Sequence, residues 1–373
     1  MAEKFSLKDH LFNPETVGLL AAEFAAGVPD FDAARFTSEA LTGFPERELM
    51  ARMEWMADCL EGQLADDFPT MADQLLAALP APLDPAKVDD DFGHFRHGVH
   101  GILVARHGLE DHRARAMEVL YEATQRFSME FYIRAFLNRW PEETLAQLAV
   151  WAQDDNYHVR RLVSEGTRPR LPWAQNVGLT PEQTLPLLDS LHADRARFVT
   201  RSVANHLNDL SKVVPDQVIE TLSSWGRLSK QGANELDWMT RHALRTLIKQ
   251  GHSGAMTALG YSADAPVTAQ IVLGQTQVPI GGALGFEVSL NSDVDLPVLV
   301  DYRIGFSRPS GKQAEKVFKL KVGQIVAGKP LVLKKAHKFK GGATTFTLHS
   351  GAHSIMVQVN GRDVASAVFD LTE

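Results

Sequence analysis

The chain has 373 residues, a formal net charge of −8 and 45% hydrophobic residues, a composition typical of one or two well-packed domains. Its single cysteine, Cys59, excludes a disulfide framework and a cysteine-based zinc site. The N-terminal sequence lacks the apolar core of a signal peptide and no stretch is apolar enough to span a membrane, so we expect a cytoplasmic protein.

The net charge conceals a gradient along the chain. Residues 1–92 contain 19 acidic and 6 basic residues, whereas residues 266–373 contain 8 acidic and 12 basic residues. Within 303–340 there are eleven basic residues and one acidic residue, Glu315. Such asymmetry indicates local basic surfaces on an acidic protein, so the mean charge does not exclude nucleic acid as a partner.

Helical periodicity dominates the first two thirds of the chain. The predicted helices cover 14–27, 30–42, 45–64, 68–79, 92–106, 110–124, 128–138, 141–154, 156–165, 181–192, 195–210, 215–226 and 235–250.

Two of these stretches repeat each other at a spacing of forty residues. Segments 141–166 and 181–206 align without a gap and share nine identical positions, including the prolines that open a helix in each. The second helix recurs once more at 239–247. A period of about forty residues with two helices per unit is the signature of HEAT-type α-solenoids.

The repeat places an arginine column in register at Arg161, Arg201 and Arg241. Helical spacing turns these arginines away from the apolar face and pairs them with Glu165, Asn205 and Arg245, four residues on. For Arg161–Glu165 the simpler interpretation is an exposed ion pair worth about 0.3 kcal/mol. Evenly spaced cations along one surface, however, also fit a polyanionic ligand.

After residue 262 the hydrophobic period changes to two, as in 298–306, 318–322 and 355–359. Turn signals (PIGG, NSD, RPSGK, KGG, NGRD) separate seven or eight short strands, which is typical of an immunoglobulin-like β-sandwich. The sequence thus predicts a multidomain protein, an all-α HEAT-like α-solenoid at 1–262 followed by an all-β sandwich at 266–373. The lysines of the strands either protect edge strands from aggregation or form a phosphate-facing patch, and we favour the patch.

A histidine cluster at His94, His97, His100 and His107 raises the question of a metal site. These residues lack the HExxH arrangement, and neither cysteines nor a set of carboxylates completes a ligand sphere. We expect solvated or capping histidines and no metal.

Four blocks carry a family resemblance: RFSMEFYIRAFL (126–137), HVRRLVSEGTRPRLPW (158–173), RSVANHLNDLSK (201–212) and RHALRTLIKQGH (241–252). They resemble the DNA alkylation repair glycosylases of the AlkC type, HEAT-like-repeat enzymes related to the AlkD type, over most of residues 1–260. A subset of that family has a C-terminal Ig-like domain. The resemblance implies excision of small cationic bases, notably 3-methyladenine and 3-methylcytosine, from duplex DNA. It implies neither metal nor organic cofactor, and we expect a monomer without an obligate protein or membrane partner.

The chemistry of that reaction selects carboxylates. An N-alkylated base already carries positive charge and leaves without a general acid, so the remaining barrier lies in the oxocarbenium-like sugar and in placing a water. Glu130 and Glu165 are the predicted catalytic residues, each four residues from an arginine (Arg134 and Arg161) that would keep it ionised. Asp209 is a third candidate carboxylate, and Asp209 and Trp173 are predicted to support catalysis.

The residues around these carboxylates are predicted to position DNA through its phosphates. Trp173, which ends a proline-stiffened loop, either stacks on sugar or base or anchors packing. The predicted DNA contacts are Arg134, His158, Arg160, Arg161, Arg168, Arg170, Arg201, Asn205, His206, Asn208, Arg241, Arg245, Lys249, Lys335, Lys338 and Lys340.

Two other functions share the same fold and the arginine column. One is a non-catalytic HEAT-repeat scaffold for a protein partner, and the other is an inactive binder of DNA structures. The position of the carboxylates distinguishes them from an enzyme, because a scaffold does not need Glu130 and Glu165 to converge among arginines.

Overall fold

The computed structural model describes residues 5–89, 91–308, 314–341 and 346–373. The chain forms two compact units. The first comprises Met1–Val213 and Ser224–Ala243, and the second comprises Val214–Ser223 and Leu244–Glu373. Near residue 262, where we predict a domain boundary, the chain changes from helices to strands. The boundary itself stays a prediction.

Helices occupy the chain from residue 7 to residue 258. They are α1 (Leu7–Leu11), α2 (Pro14–Gly27), α3 (Ala33–Gly43), α4 (Leu49–Glu61), α5 (Phe68–Ala77), a 3-10 turn (Phe95–His97), α6 (Gly98–His107), α7 (Arg113–Thr124), α8 (Ile133–Arg139), α9 (Pro141–Trp151), α10 (Tyr157–Gly166), α11 (Pro181–Leu191), α12 (Arg197–Leu210), α13 (Pro215–Leu228), α14 (Ala233–Ala243), α15 (Arg245–Lys249) and α16 (Ser253–Ala258). Among the described helices, none is both long and apolar enough to cross a membrane.

The forty-residue repeat corresponds to stacked helix pairs. Pro141 and Pro181 open α9 and α11, where the missing N–H of proline has no intrahelical partner to lose. The second helices α10, α12 and α14 pack in sequence, α10 against α12 and α12 against α14. Leu162 and Val163 are fully buried, as the repeat predicts. The α-solenoid prediction is confirmed for this part of the fold.

Two helix predictions are wrong at positions that matter for the site. The helix predicted at 128–138 begins only at Ile133, so Glu130 lies in the turn before it. The helix predicted at 235–250 is interrupted at Leu244, whose ψ of 3° leaves the α-helical range, so Arg241 and Arg245 do not share a continuous helix.

The C-terminal strands form a sandwich of two sheets. The strands are β1 (Thr268–Leu273), β2 (Gln277–Pro279), β3 (Ala283–Asn291), β4 (Leu296–Phe306), β5 (Ala314–Ile325), β6 (Leu331–Lys338), β7 (Gly351–Val359) and β8 (Arg362–Thr372). One sheet has the order β1-β3-β6 and the other β2-β8-β7-β4-β5. All pairings are antiparallel except β2 with β8. These eight strands confirm the immunoglobulin-like prediction.

The alternation predicted for 298–306 is modified by a second apolar contact. Val298, Val300 and Ile304 point into the sandwich core, but Leu299 on the other face is buried against Met256 and Tyr261. The short helices after Leu244 therefore cover part of the outer face of β4 within the second unit.

Turn chemistry closes the β7–β8 hairpin as the sequence predicts. Asn360 (φ 49°) and Gly361 (φ 83°) occupy the left-handed region that a two-residue hairpin turn of this type requires. The Asn360 side chain also accepts from the backbone N–H of Leu299 at 2.8 Å. Parts of the predicted turns RPSGK and KGG lie outside the described residues.

Candidate functional site

Arg161 on α10 brings the two predicted carboxylates together. Its Nη1 donates to Glu130 Oε2 at 2.5 Å and to Ser128 Oγ at 3.0 Å, and its Nη2 lies 3.8 Å from Glu165 Oε2. Ser128 Oγ also donates to Glu130 Oε2 at 2.7 Å. The Arg161 and Glu165 side chains are 11% and 6% exposed, so they are not the solvated surface pair of the simpler interpretation. One guanidinium therefore links two carboxylates from separate segments.

An aromatic cavity of about 240 Å³ adjoins this cluster. Ser128, Glu130, His158 and Arg161 contribute its polar lining, whereas Glu165 is not among the described residues that line it. Its aromatic lining consists of Phe92, Phe95, Phe127, Phe131, Trp173 and Phe198. The guanidinium carbon of Arg161 lies 4.5 Å above the Phe198 ring. The cavity combines aromatic faces with a carboxylate, and both attract a cation.

Trp173 is an exposed part of this lining. The side chain is 65% exposed and its backbone φ is +65°, an uncommon conformation for a bulky residue. The expectation that Trp173 anchors packing is therefore wrong. Its ring remains accessible beside the cavity, which leaves stacking on a ligand as the surviving interpretation.

One wall of the cavity comes from the segment between α5 and the 3-10 turn, which we call the strap (residues 80–89 and 91–95). Pro80 O accepts from Arg126 Nε at 2.8 Å, and Val88 O accepts from the backbone N–H of Phe198 at 3.1 Å. Gly93 forms an isolated antiparallel bridge with Phe127. The strap is held at both ends, and its Phe92 packs edge-on against Phe198 with ring centroids 5.2 Å apart.

Glu165 is held by two further groups. Ser202 Oγ on α12 donates to Glu165 Oε2 at 2.6 Å, and Arg168 Nη1 donates to Glu165 Oε1 at 2.5 Å. Burial of the Glu165 carboxyl favours its neutral form, but Arg161, Arg168 and the Ser202 hydroxyl outweigh burial and hold its pKa below the ordinary value. Glu165 is therefore ionised at neutral pH.

Arg134 does not have the predicted roles of Glu130 partner and DNA contact. Its side chain is fully buried and donates to the carbonyl oxygens of Gln175, Gly166, Arg168 and Pro169 at 2.5, 3.0, 2.8 and 3.4 Å. Burial lowers its pKa to about 10. The spacing argument failed because Glu130 lies in a turn, where residues four apart do not share a helix face. Arg134 instead fixes the loop after α10.

The Gly166 backbone packs closely against the Ile133 side chain at this loop. A Cβ atom on Gly166 would lie 2.6 Å from Cγ2 of Ile133, so only glycine lets the end of α10 approach the start of α8 this closely.

Three further predicted DNA contacts are buried within the first unit, which removes them from direct phosphate contact. Arg160 donates to Asp194 at 2.5 and 2.9 Å. His206 Nδ1 donates to Ser164 O at 3.0 Å, and its burial lowers its pKa to about 4. Asn208 is 3% exposed. On α10 only Arg161 is partly exposed, and on α12 only Arg197, Arg201, Asn205 and Asp209 are, so the sequence pattern assigned these three positions to the wrong face.

His158 keeps a place at the cavity. It is buried beside Tyr157, with ring centroids 4.1 Å apart, and burial lowers its pKa to about 4. It is therefore neutral at physiological pH and cannot act there as a cationic phosphate contact.

The other members of the arginine column have acidic partners. Arg201 pairs with Asp89 of the strap, and Arg241 pairs with Asp237 on its own helix at 2.9 Å. Asn205 Oδ1 lies 2.8 Å from His242 Nε2. Asp209 pairs with Arg168, as described below. The DNA-binding roles of Arg201, Asn205, Arg241 and Arg245 stay predictions.

The exposed predicted contacts lie on both units. Arg170 is exposed on the loop after α10, and Lys249 is exposed at the end of α15. On β6 and just after it, Lys335, Lys338 and Lys340 are exposed. Their charges are solvent-accessible, as a phosphate-facing patch requires.

Histidines of the predicted cluster contact other groups of the protein. His97 Nε2 lies 3.0 Å from Glu23 Oε2, and His100 is fully buried, which lowers its pKa to about 3. Across the four described ranges, no group of three or more His, Cys, Asp or Glu side chains is arranged to hold a metal ion.

Comparisons with known proteins agree with this architecture. Residues 124–247 match the family described as "DNA alkylation repair enzyme", and residues 267–373 match the family described as "Uncharacterised protein YhaZ, C-terminal Ig-like domain". The chain is 33% identical over 361 residues to the uncharacterized protein YhaZ of Bacillus subtilis (strain 168), covering 94% of this chain and 95% of that protein.

A solved structure matches the whole chain. It is the Pseudomonas fluorescens alkylpurine DNA glycosylase AlkC bound to DNA containing an abasic site analog, with a TM-score of 0.86 and 34% sequence identity. The match covers 99% of this chain and 100% of that chain. The chain therefore belongs to the DNA alkylation repair enzymes of the AlkC type, with the C-terminal Ig-like domain that YhaZ shares.

Proposed function

We propose that this protein is a DNA glycosylase that excises small cationic alkylated bases, 3-methyladenine and 3-methylcytosine, from duplex DNA in base excision repair. The observation that carries the proposal is the Arg161 cluster, in which Glu130 and Glu165 converge on one guanidinium next to an aromatic cavity. A protein scaffold has no need of two carboxylates paired with one arginine at such a place. The similarity to an alkylpurine DNA glycosylase over the full chain supports the same function.

The reaction is a hydrolysis of the N-glycosidic bond. The C1′–N bond breaks and its electron pair stays on the departing base, which becomes neutral because it was cationic before. A water oxygen forms the new bond to C1′, and its proton passes to a carboxylate or to solvent. The developing positive charge on the sugar is the feature that a pre-arranged carboxylate stabilises.

The two carboxylates have different surroundings and therefore different roles in the proposal. In the proposal, Glu130 faces the sugar and orients a water. Its place in the cavity lining and its contacts with Arg161 and Ser128 support this role. Glu165 is more deeply buried, and its negative charge strengthens the field of the cluster. Ion pairing keeps the Glu165 carboxylate charged without the full solvation that would weaken its field.

The aromatic lining supports a cationic substrate. A positively charged ring system is attracted to aromatic faces within about 6 Å, and the attraction grows when water is excluded. Exposed Trp173 and half-buried Phe92 and Phe131 offer such faces beside Glu130. A neutral undamaged base lacks this attraction and also lacks the positive charge that makes it a good leaving group.

Base release from methylated duplex DNA tests the proposal. Liberated bases are separated by chromatography for the wild type and for Glu130→Gln, Glu165→Gln and the exposed control Glu143→Gln. We expect the first two variants to retain DNA affinity and to lose at least tenfold in excision rate, or about 1.4 kcal/mol in barrier. The control should match the wild type.

Each other outcome has a definite meaning. Unchanged excision by Glu165→Gln or by Glu130→Gln would remove that residue from the mechanism. No release by the wild type, despite tight and salt-sensitive DNA binding, would leave an inactive DNA binder. Absence of both release and DNA binding would favour the protein scaffold.

A further inference from the structure

Arg168 follows α10 by two residues and is enclosed between two carboxylates. Its Nη1 donates to Glu165 Oε1 at 2.5 Å, its Nε donates to Asp209 Oδ2 at 2.9 Å, and its Nη2 lies 2.8 Å from the same oxygen. The Arg168 side chain is 13% exposed. Both edges of the guanidinium are therefore engaged by protein groups.

The backbone that carries Arg168 is fixed independently of its side chain. Arg134 donates to the Arg168 carbonyl oxygen at 2.8 Å and to the Gly166 carbonyl at 3.0 Å. The Thr167 hydroxyl donates to Val163 O at 2.7 Å. Because these buried groups hold the loop, the position of the Arg168 backbone does not depend on the Arg168 side chain.

Glu165 has a defined partner for each carboxylate oxygen. Oε1 accepts from Arg168, and Oε2 accepts from Ser202 Oγ at 2.6 Å and faces Arg161 Nη2 at 3.8 Å. Without Arg168, Oε1 would lose the hydrogen-bond donor that the structure assigns to it. The carboxylate would then be held through Oε2 alone, and its terminal torsion, which is soft for glutamate, would be less restrained.

We infer that Arg168 is a positioning residue for the Glu165 carboxylate and that Asp209 holds Arg168 in place, so that neither acts through a DNA phosphate. This inference rests on the proposed function, in which Glu165 contributes to base release. It replaces the prediction that Arg168 binds DNA, and it assigns to Asp209 the supporting role that its carboxylate was predicted to have. A guanidinium suits this role because its planar fork can serve two carboxylates at once.

The sign of the electrostatic effect follows from the surroundings of Glu165. Burial favours the neutral carboxyl, and Arg161, Arg168 and Ser202 counteract it. Loss of the Arg168 charge leaves burial in place and removes one counteracting group, so the pKa of Glu165 must rise. As the pH falls, excision should therefore be lost at a higher pH than in the wild type.

The test compares Arg168→Gln, Arg168→Lys and Asp209→Asn with Arg170→Gln as the matched control. Arg170 is two residues along the same loop and exposed, so its loss removes the same charge without touching Glu165. For the full-length protein we would measure single-turnover base release from about pH 3.5 to 9, since an acid limb set by Glu165 lies below its ordinary pKa. We would also measure the affinity for duplex DNA and the Glu165 carboxyl pKa by ¹³C NMR. The NMR signal is assigned by its absence in Glu165→Gln.

We expect Arg168→Gln to fall at least tenfold in single-turnover rate at saturating DNA and to shift its acid limb upward by about one pH unit or more. Arg168→Lys, which keeps the charge but not the fork, should recover part of the rate and most of the pH profile. Asp209→Asn should lower the rate less than Arg168→Gln. Arg170→Gln should weaken DNA binding and leave the acid limb unmoved.

An unmoved Glu165 pKa in Arg168→Gln, together with weakened DNA binding, would overturn the inference and restore Arg168 as a phosphate contact. If Arg168→Gln does not fold, as judged by circular dichroism, Arg168→Lys and Asp209→Asn carry the same test. If the wild type releases no base, the proposed function fails, while the NMR titration still decides whether Arg168 positions Glu165.

Discussion

Replacing Arg134 by methionine should destabilise the first unit far more than the loss of a surface arginine would, because Arg134 is fully buried. The substitution keeps the apolar length of the side chain and removes four N–H···O=C contacts to the loop after α10, three of them at 3.0 Å or less. A hydrogen bond from a charged donor contributes roughly 1.5–3 kcal/mol. The cost of burying the guanidinium offsets part of that sum, and we expect a net loss of about 3–5 kcal/mol.

Arg139→Met is the matched control on the same helix. Arg139 is 48% exposed and pairs with Glu110 at 2.8 Å, with its guanidinium 4.0 Å above the Trp140 ring. A surface pair of this kind is worth at most about 1 kcal/mol, and an exposed cation–π contact adds a similar amount. The same change in side chain therefore separates a buried loop anchor from a surface ion pair.

Tryptophan fluorescence during urea unfolding is a suitable assay for both variants. All six tryptophans precede residue 244, so the signal reports on the first unit and not on the β-sandwich. Base release should also fall in Arg134→Met, because the loop that it anchors carries Arg168 and Trp173. A loss in unfolding free energy for Arg134→Met within about 1 kcal/mol of that for Arg139→Met would refute the reasoning. The carbonyl groups would then be equally well satisfied by water.

Two other predictions concern acidic residues. Burial raises the pKa of Asp301 to about 6 from 3.8, so the folded state binds its proton more tightly and stability is lost as pH rises from about 4 through 6. Asp301→Asn should abolish that loss of unfolding free energy, which is about 3 kcal/mol at most. Calorimetry at pH 4 and pH 8 measures the loss in both proteins. If the variant shows the same difference in stability between the two pH values as the wild type, Asp301 is not its cause. Asp89→Asn removes one acidic partner of Arg201 and one negative charge from the strap, so it should tighten DNA binding by about two- to fivefold, as for the loss of one surface ion pair. Weaker binding in a titration followed by fluorescence anisotropy would show that Asp89 orders the site instead.

The architecture was predictable because it depends on periodicity. A forty-residue repeat and a period-two pattern each require a particular packing, and the packed faces at Leu162 and Val163 follow directly. Helix ends were less predictable. The segment before Ile133 has helical spacing but forms a turn, and this shift moved Glu130 from the reach of Arg134 to that of Arg161.

The cavity could not be derived from the sequence. Its lining comes from the strap, the turn before α8, α10, the loop after α10 and the start of α12, which are separated by up to about a hundred residues. No local pattern relates Phe92 to Phe198. Only Phe127 and Phe131, which flank Glu130 in the sequence, gave a signal that an aromatic environment surrounds the carboxylate.

The arginine column shows that equivalent positions in a repeat can have different contacts. The repeat predicts that Arg161, Arg201 and Arg241 occupy equivalent positions, and they do so on α10, α12 and α14. Their partners differ because packing brings a different acidic residue to each arginine. Arg161 pairs with Glu130 of the turn before α8, Arg201 pairs with Asp89 of the strap, and Arg241 pairs with Asp237 of its own helix.

A second difference within the column follows the position four residues on. The first repeat has a glutamate there, and its arginine, Arg161, lies between two carboxylates, Glu130 and Glu165. The position four residues on from the arginine differs in every unit: Glu165, Asn205 and Arg245. In the proposed function, the glutamate of the first unit is the feature that distinguishes a site for bond cleavage from a surface that only holds phosphates.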